Sequence, residues 1–412
     1  MNRSILHCDM NNCFASIEAK LNPSLKNKPI AVCGSQKERH GIVLAKSQEA
    51  KILGVKTGEA IWEAKIKCPD LLIVPPHYDE YLKHSNMARE LYYEYTNQVE
   101  SFGLDEAWLD VTGSQGLYGS ASNIADELRN RMKKEIGITI SVGVSFNKVF
   151  AKLGSDLKKP DAITIIDKKD VVKKVWPLDV DALIGIGPAT KRKLNRINIF
   201  SLGDLARANP KTLKNLLGIN GPYLWNLANG NDNSPVADIY DQFPVKSIGH
   251  GITCTSDLLN DREVMHVLQT LALKVTKRLI EGGFQARGVY VSVRDRELKK
   301  TRFQAQFAYP TVSSIIFVEK AMELFRKNYI WEKSIRSIRI KAINLLEEKR
   351  DIQLQFFEDF EHHQKRETLD RTIYDIKKKF GEDSITFGGL MEKTKLPGKI
   401  SEIITLPTMR KN

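Results

Sequence analysis

Three carboxylates carry the chemistry that this chain can do: Asp9, closing the run SILHCDM, and Asp105 with Glu106 in ESFGLDEAWLD. Hard oxygen donors suit Mg²⁺, which keeps several waters and takes one or two carboxylates together with substrate phosphates. Two such ions about 3.5 to 4 Å apart lower the pKa of an attacking hydroxyl and stabilise the leaving oxygen of an in-line displacement. Histidine is scarce, at eight residues, which disfavours zinc. Successive residues on a regular strand face opposite ways, so Asp105 and Glu106 can share an ion only at a bend or strand end; Gly103 makes that bend plausible. A lone acid is usually a solvated turn carboxylate; here the surrounding sequence reverses that reading.

The elements that must position these acids follow from hydrophobic periodicity. Residues 4–10 read as a short buried strand ending in acid, with a helical pattern from Asn12 to Ala19. Residues 25–78 look like an inserted small module with strands PIAVCG and GIVLA and the helical SQEAKILG. An amphipathic helix from Asp79 to Tyr95 leads into the strands VESFGLDE and AWLDVTG; a helix at 121–136 and the strand TISVGVS follow. This order predicts a ferredoxin-like α+β layer interrupted by the insert. Residues 167–233 read as a small all-α domain. Residues 234–244, polar and Pro-containing, read as a linker, and 245–345 as a second α+β sheet domain. The tail, 346–412, holds a charged helix around 364–380 and an end expected to be mobile.

The 412 residues, 42% hydrophobic and 27% charged, exclude wholesale disorder and leave ample material for several cores. No apolar run is long enough for a membrane span, and Asp9 interrupts any signal-peptide core, so an intracellular, cytoplasmic location is expected. Five cysteines without a C-x-x-C pair argue for reduced thiols. The net charge of +13 points to a polyanionic partner. Its excess is concentrated: residues 244–350 hold 20 basic against 11 acidic side chains.

Three segments in order, IxHxDMNxxFASIE, SFGLDEAWLDVT and GVSFNKVFAKLGSDLKKPDAI, resemble the signature segments of Y-family (DinB/UmuC-type) lesion-bypass DNA polymerases, and the resemblance spans residues 1 to about 360. It implies a right-hand, α+β multidomain enzyme. The palm would be 1–24 and 79–166, the fingers 25–78, a helical helix-hairpin-helix thumb 167–233 and an α+β little finger 245–345. Asp9, Asp105 and Glu106, with the Met10 carbonyl, would hold two Mg²⁺, with Mn²⁺ as substitute. Phe14 would be the steric gate that excludes a 2′-hydroxyl, and Asn11, Asn12, Cys13, Ser47, Lys51 and Lys159 would line the dNTP site. Cys13 on its own reads as a packed small hydrophobe. Where many members have Asn-Tyr and then Arg in the fingers, this chain has Ser47-Gln48 and Lys51, and a lysine cannot copy the bidentate fork of arginine. Ile42 and Leu44 fall at roof positions over the nascent base pair.

DALIGIGPATKRKLNRINI resembles a helix-hairpin-helix, in which Gly185 and Gly187 permit close backbone approach to a DNA phosphate. LLGINGPYLWNLANG, with Gly218 and Gly221, is a weaker version, fitted nearly as well by a plain turn. In the little finger, Lys246, Arg294, Arg296, Arg302, Arg336 and Arg339, with Lys299, Lys300 and Lys341, would lay cations along the primer-template backbone. Gln353, Leu354, Phe356 and Phe357 look like the bacterial sliding-clamp peptide, an effective-concentration device for a weakly gripping polymerase. The resemblance further implies an error-prone monomer without proofreading that acts in DNA repair and the SOS response. Two rivals stand beside it: another palm-type nucleotidyl transferase, such as a cyclase, which has no need of the DNA grips, and a non-enzymatic DNA-binding scaffold, in which the acids and Phe14 are incidental.

Overall fold

The structure, a computed structural model, describes residues 3–39, 41–241, 244–347, 360–390 and 395–397. It forms two compact units, one from residues 3–34 and 42–241, the other from the described residues of 35–41 and 244–397.

In the first unit, β1 (Ile5–Met10) runs fully buried into α1 (Cys13–Leu21). A small module follows: β2 (Ile30–Cys33), β3 (Val43–Lys46), α2 (Gln48–Ile52), α3 (Ile61–Lys67) and β4 (Leu72–Val74), its sheet ordered β3-β2-β4 over a core of its own. The chain returns through α4 (Tyr78–Tyr93), β5 (Val99–Phe102), β6 (Glu106–Asp110), α5 (Gln115–Tyr118), α6 (Ala121–Arg131), β7 (Ile140–Ser145), α7 (Lys148–Leu157) and β8 (Ile163–Ile166). The main sheet is ordered β5-β6-β1-β7-β8. Its first four strands have the ferredoxin-like order, and β8 extends it by pairing parallel to β7. Gly143 and Gly154 allow α7 to lie close on that sheet: a Cβ at Gly143 would meet Ala151 O at 1.8 Å. Four short helices complete the unit, α8 (Pro188–Asn195), α9 (Leu202–Arg207), α10 (Pro210–Leu217) and α11 (Asn220–Ala228), around a separate apolar core.

The segment expected to be a linker departs from that reading over most of its length. Val236 and Ala237 are buried, Ala237 N–H donates to Glu100 Oε2 at 2.9 Å, and Ile239 N–H donates to Asn97 O at 2.9 Å. Its polar composition misleads because backbone groups make much of the attachment.

The second unit is β9 (Ser247–Leu258), α12 (Asp261–Glu281), β10 (Phe284–Asp295), β11 (Lys300–Thr311), α13 (Ser314–Asn328) and β12 (Ile335–Glu347), with an antiparallel sheet ordered β11-β10-β12-β9. α14 (Phe360–Phe380) belongs to it as well. Asp370, 1% exposed, accepts from Ser313 Oγ at 2.6 Å and from Ser314 Oγ; Glu367 Oε1 accepts from Val312 N–H at 2.7 Å. The expected mobile end is anchored where it is described: Lys395 O accepts from Thr255 N–H at 3.0 Å, and Leu396 packs against the core.

Candidate active site

The register of β1 against β6 sets Asp9 opposite Glu106, and Met10 N–H donates to Asp105 O at 2.9 Å. Gly103, at φ +86, turns the chain just before these acids, so Asp105 lies off the regular strand that Glu106 begins. Each of two acids is met by a lysine. Lys159 Nζ lies 2.6 Å from Asp9 Oδ2 and 2.8 Å from Asp156 Oδ1, while Lys152 Nζ donates to Glu106 Oε2. His7, wholly buried, has Nδ1 2.8 Å from Ser155 Oγ and Nε2 3.2 Å from Glu106 Oε2.

These surroundings divide the acids. Burial raises the Asp9 carboxyl above the usual range despite Lys159, with Glu106 and Asp105 adding repulsion. Asp105 is raised by burial and by Glu106. Burial also opposes ionisation of Glu106, but His7 and Lys152 outweigh it and hold that carboxyl low. Burial drives the His7 imidazole down to about 4, which leaves it neutral near pH 7.

A divalent cation fits this donor set: the oxygens are hard, and mutual repulsion among buried carboxylates is what a dication relieves. Among the described residues, however, no three His, Cys, Asp or Glu side chains are already gathered around one point as ligands. One oxygen of Asp9 and one of Glu106 are held by Lys159 and Lys152 instead, so a cation using those two oxygens would displace the amines.

The remaining site residues fall into two groups. Asn11, Cys13 and Ser47 are engaged within the protein. Asn11 Nδ2 donates to Thr139 Oγ1 at 3.1 Å, and its Oδ1 accepts from Ser141 Oγ at 2.8 Å. Cys13 is buried with its thiol 3.7 Å from Met10 Sδ. Ser47 Oγ caps α2 by accepting from Ala50 N–H, accepts from Ile30 N–H at 3.1 Å and donates to Lys28 O at 3.0 Å. By contrast Phe14 is half-buried, Lys51 is exposed on α2, and Asn12 starts α1 in the left-handed region at φ 51. Ile42 is 45% exposed. Sequence reasoning missed Lys152, His7 and Lys46. The last is close enough to Lys51 that, after burial, repulsion from Lys51 lowers its pKa. The order Lys148, Lys152, Asp156 at four-residue spacing, one helical face, was the signal available for Lys152.

In the helical part, Gly185 has φ +93 and Gly187 caps α8, with open space where a Cβ would stand. Arg192, Lys193 and Arg196 are exposed, whereas Lys191 pairs with Asp179 and Asp181 at 2.8 and 3.0 Å. Ile199 is buried with Leu194 in the helical core, and Ile197 is exposed. At the weaker hairpin Gly221 serves packing: a Cβ there would meet Leu213 O at 2.2 Å.

In the second unit, the register aligns Lys300 with Arg294, and Arg302 with Ser292 and Arg339. Because Val291, Val293, Ile338 and Ile340 point into the core, Arg294, Arg339 and Lys341 alternate with them onto the opposite face. Lys246 precedes β9, Arg296 lies in the β10–β11 turn, and Arg336 falls at a β-bulge. Gln353, Leu354, Phe356 and Phe357 lie outside the described residues.

Comparison with known proteins agrees with this architecture. The impB/mucB/samB family model matches residues 8–156, and the impB/mucB/samB family C-terminal domain matches 245–356. A DNA polymerase IV of Acetivibrio thermocellus is 45% identical over 392 residues, 95% of this chain and 98% of its own. DNA polymerase IV 1 of Bacillus subtilis is 36% identical over 394 residues, 95% and 94% of the two chains. A solved Y-family DNA polymerase chimera, Dbh-Dpo4(243-245)-Dbh, superposes with a TM-score of 0.74 at 26% identity, covering 83% of this chain and 99% of its own. The chain belongs to the impB/mucB/samB family, the DinB-type Y-family polymerases.

Proposed function

We propose that this protein is a template-directed, lesion-bypass DNA polymerase: the primer 3′-hydroxyl attacks the α-phosphorus of a dNTP, forming a phosphodiester as pyrophosphate leaves. The observation that carries this reading is the register that sets Asp9 opposite Glu106 with Asp105 beside them. Asp9, Asp105, Glu106 and the Met10 carbonyl would hold the divalent cations, Mg²⁺ or Mn²⁺, which supply charge neutralisation and a lowered hydroxyl pKa. Lys159, released from Asp9, would meet the triphosphate and stabilise charge gathering on the leaving group, with Lys51 and Lys46 on the fingers side. Phe14 would reject ribonucleotides by overlap with the 2′-hydroxyl.

In this reading the five-stranded layer is the palm, the β3-β2-β4 module the fingers, α8 to α11 the thumb and the second unit the little finger. Gly185 and Gly187 would receive a backbone phosphate, and the cationic sheet face would follow the duplex without reading sequence. The absence of proofreading, monomeric action and docking on a sliding clamp through 353–357 complete the proposal.

Primer extension with Mg²⁺ tests it, comparing the native chain with Asp105→Ala and Glu106→Ala. Loss of extension with retained DNA binding is the expected result. Equal extension by all three proteins would exclude the mechanism, and DNA binding without extension by the native chain would favour the scaffold.

A further inference from the structure

A buried carboxylate on α1 holds the ring against which Phe14 rests. Glu18 lies one helical turn after Phe14 and is 3% exposed. An acid so deeply buried requires compensating partners, and Glu18 has three donors around it. Tyr81 O–H donates to Oε1, His77 N–H donates to the same oxygen at 3.3 Å, and His77 Nδ1 is 3.0 Å from both oxygens. Tyr81 is fully buried on α4, and its ring stacks on that of Phe14 with centroids 4.1 Å apart and planes 10° apart. Tyr78 meets Phe14 edge-on at 6.1 Å. Burial first, and then the Glu18 hydrogen bond, push the Tyr81 phenol upward, so it remains a donor.

From these contacts we infer that Glu18 is a positioning residue for sugar selection: by holding the Tyr81 hydroxyl it fixes the stacked ring behind Phe14, and so fixes how far Phe14 can retreat from an incoming 2′-hydroxyl. The inference deepens the proposed gate and rests on it. Repulsive overlap changes steeply over tenths of an ångström, so a ring free to shift discriminates far less than one that is pinned. His77 carries the restraint further, because it joins β4 of the small module to α4, and the same carboxylate grips both of its nitrogen donors.

The test is single-nucleotide incorporation on a primed template with Mg²⁺, giving kcat and KM for a dNTP and the matching rNTP. The proteins are the native chain, Phe14→Ala, Tyr81→Phe, Glu18→Ala and Glu18→Gln, each with a thermal unfolding scan. Tyr81→Phe and Glu18→Ala are expected to raise the rNTP/dNTP ratio of kcat/KM by about tenfold, chiefly through a lower rNTP KM, with dNTP kcat within about twofold of native. Glu18→Gln, which keeps an acceptor for the phenol, is expected to restore discrimination to within about threefold of native. Tyr81→Phe keeps the ring and its volume, so it decides the matter alone if Glu18→Ala does not fold. Native discrimination in Tyr81→Phe, alongside a large rise in Phe14→Ala, would overturn the role of Glu18 and leave the gate standing. No rise in Phe14→Ala would overturn the gate and this inference with it.

Discussion

Lys159 Nζ sits 2.6 Å from Asp9 Oδ2, so the proposed triphosphate contact and the proposed metal ligand neutralise each other in the chain alone. Asp9 is buried and Lys159 largely so, and the pair is reinforced by Asp156. Substrate and metal would therefore be exchanged for this ion pair rather than added to vacant groups. Lys159→Met is expected to lower kcat/KM for dNTP by about 10²-fold, the scale of losing one stabilising contact to developing charge. Mn²⁺ affinity without nucleotide should rise in the same variant, because the competing amine is gone. Single-turnover incorporation and Mn²⁺ titration by electron paramagnetic resonance check the two halves, and an unchanged Mn²⁺ affinity would contradict the exchange.

Glu100 and Lys148 form the second pair of consequence, both deeply buried, with Nζ 2.7 Å from Oε1 and 4.7 Å from the Trp108 ring. Removing one partner of a buried pair strands the other charge, at a cost of about 3–5 kcal/mol. Glu100→Ala also deletes the acceptor for Ala237 N–H, so it should lower the thermal stability of the unit that holds it and expose residues 235–239 to hydrogen exchange. The double variant Glu100→Gln/Lys148→Met should recover most of the loss. Equal damage by single and double variants would show that the attraction of the ion pair itself, rather than a stranded charge or a lost acceptor, carries the stability.

Much of this was legible in the sequence where a period of two or 3.6 registers burial directly. The short run before Asp9, apolar but for His7, gave β1, and alternation across Arg339, Ile340 and Lys341 gave a cationic face on β12. What was hidden depends on contacts between distant segments. The four-residue spacing of Lys148, Lys152 and Asp156 marks a helical face, but not that Lys152 meets Glu106, a contact made only when β6 packs beside α7. Nor does the polar run at 231–241 disclose that Val236 and Ala237 are buried. Asn11 and Ser47, which the family resemblance places at the nucleotide, also make hydrogen bonds at the ends of β1 and α2 that no local pattern announces.

The cationic sheet face depends on two glycines. A Cβ at Gly251 would stand 2.8 Å from both Cβ and Nε of Arg339, and one at Gly249 would stand 2.3 Å from Lys341 Cγ. These side chains lie across the glycines of β9, and Lys341 reaches the Tyr290 ring at 5.5 Å. Gly251→Val should displace Arg339, weaken duplex binding at low salt and flatten the log K against log[salt] slope by about 1, the signature of one lost phosphate contact. Fluorescence anisotropy across a salt series measures both. Weaker binding at an unchanged slope would place the glycine's role in folding of the sheet instead.

Asp370 gives the second unit a pH dependence whose sign is fixed by its surroundings. Burial raises its carboxyl above the ordinary value of 3.8, although Ser313 and Ser314 donate to it and pull the other way. The folded state thus holds the proton more tightly than the unfolded chain. The resulting stabilisation is complete below the ordinary value and is lost as pH rises through the raised one. Asp370→Asn keeps an oxygen acceptor but cannot ionise, so its stability relative to native should improve as pH rises from about 4 to 7. Asp370→Ala strands two buried hydroxyls and should cost about 1–3 kcal/mol on top of the same pH trend. Hydrogen exchange of α14 reads both effects, since Asp370 joins that helix to the start of α13. An Asp370→Asn variant whose exchange tracks native at every pH would show that the carboxyl is not raised in the folded chain.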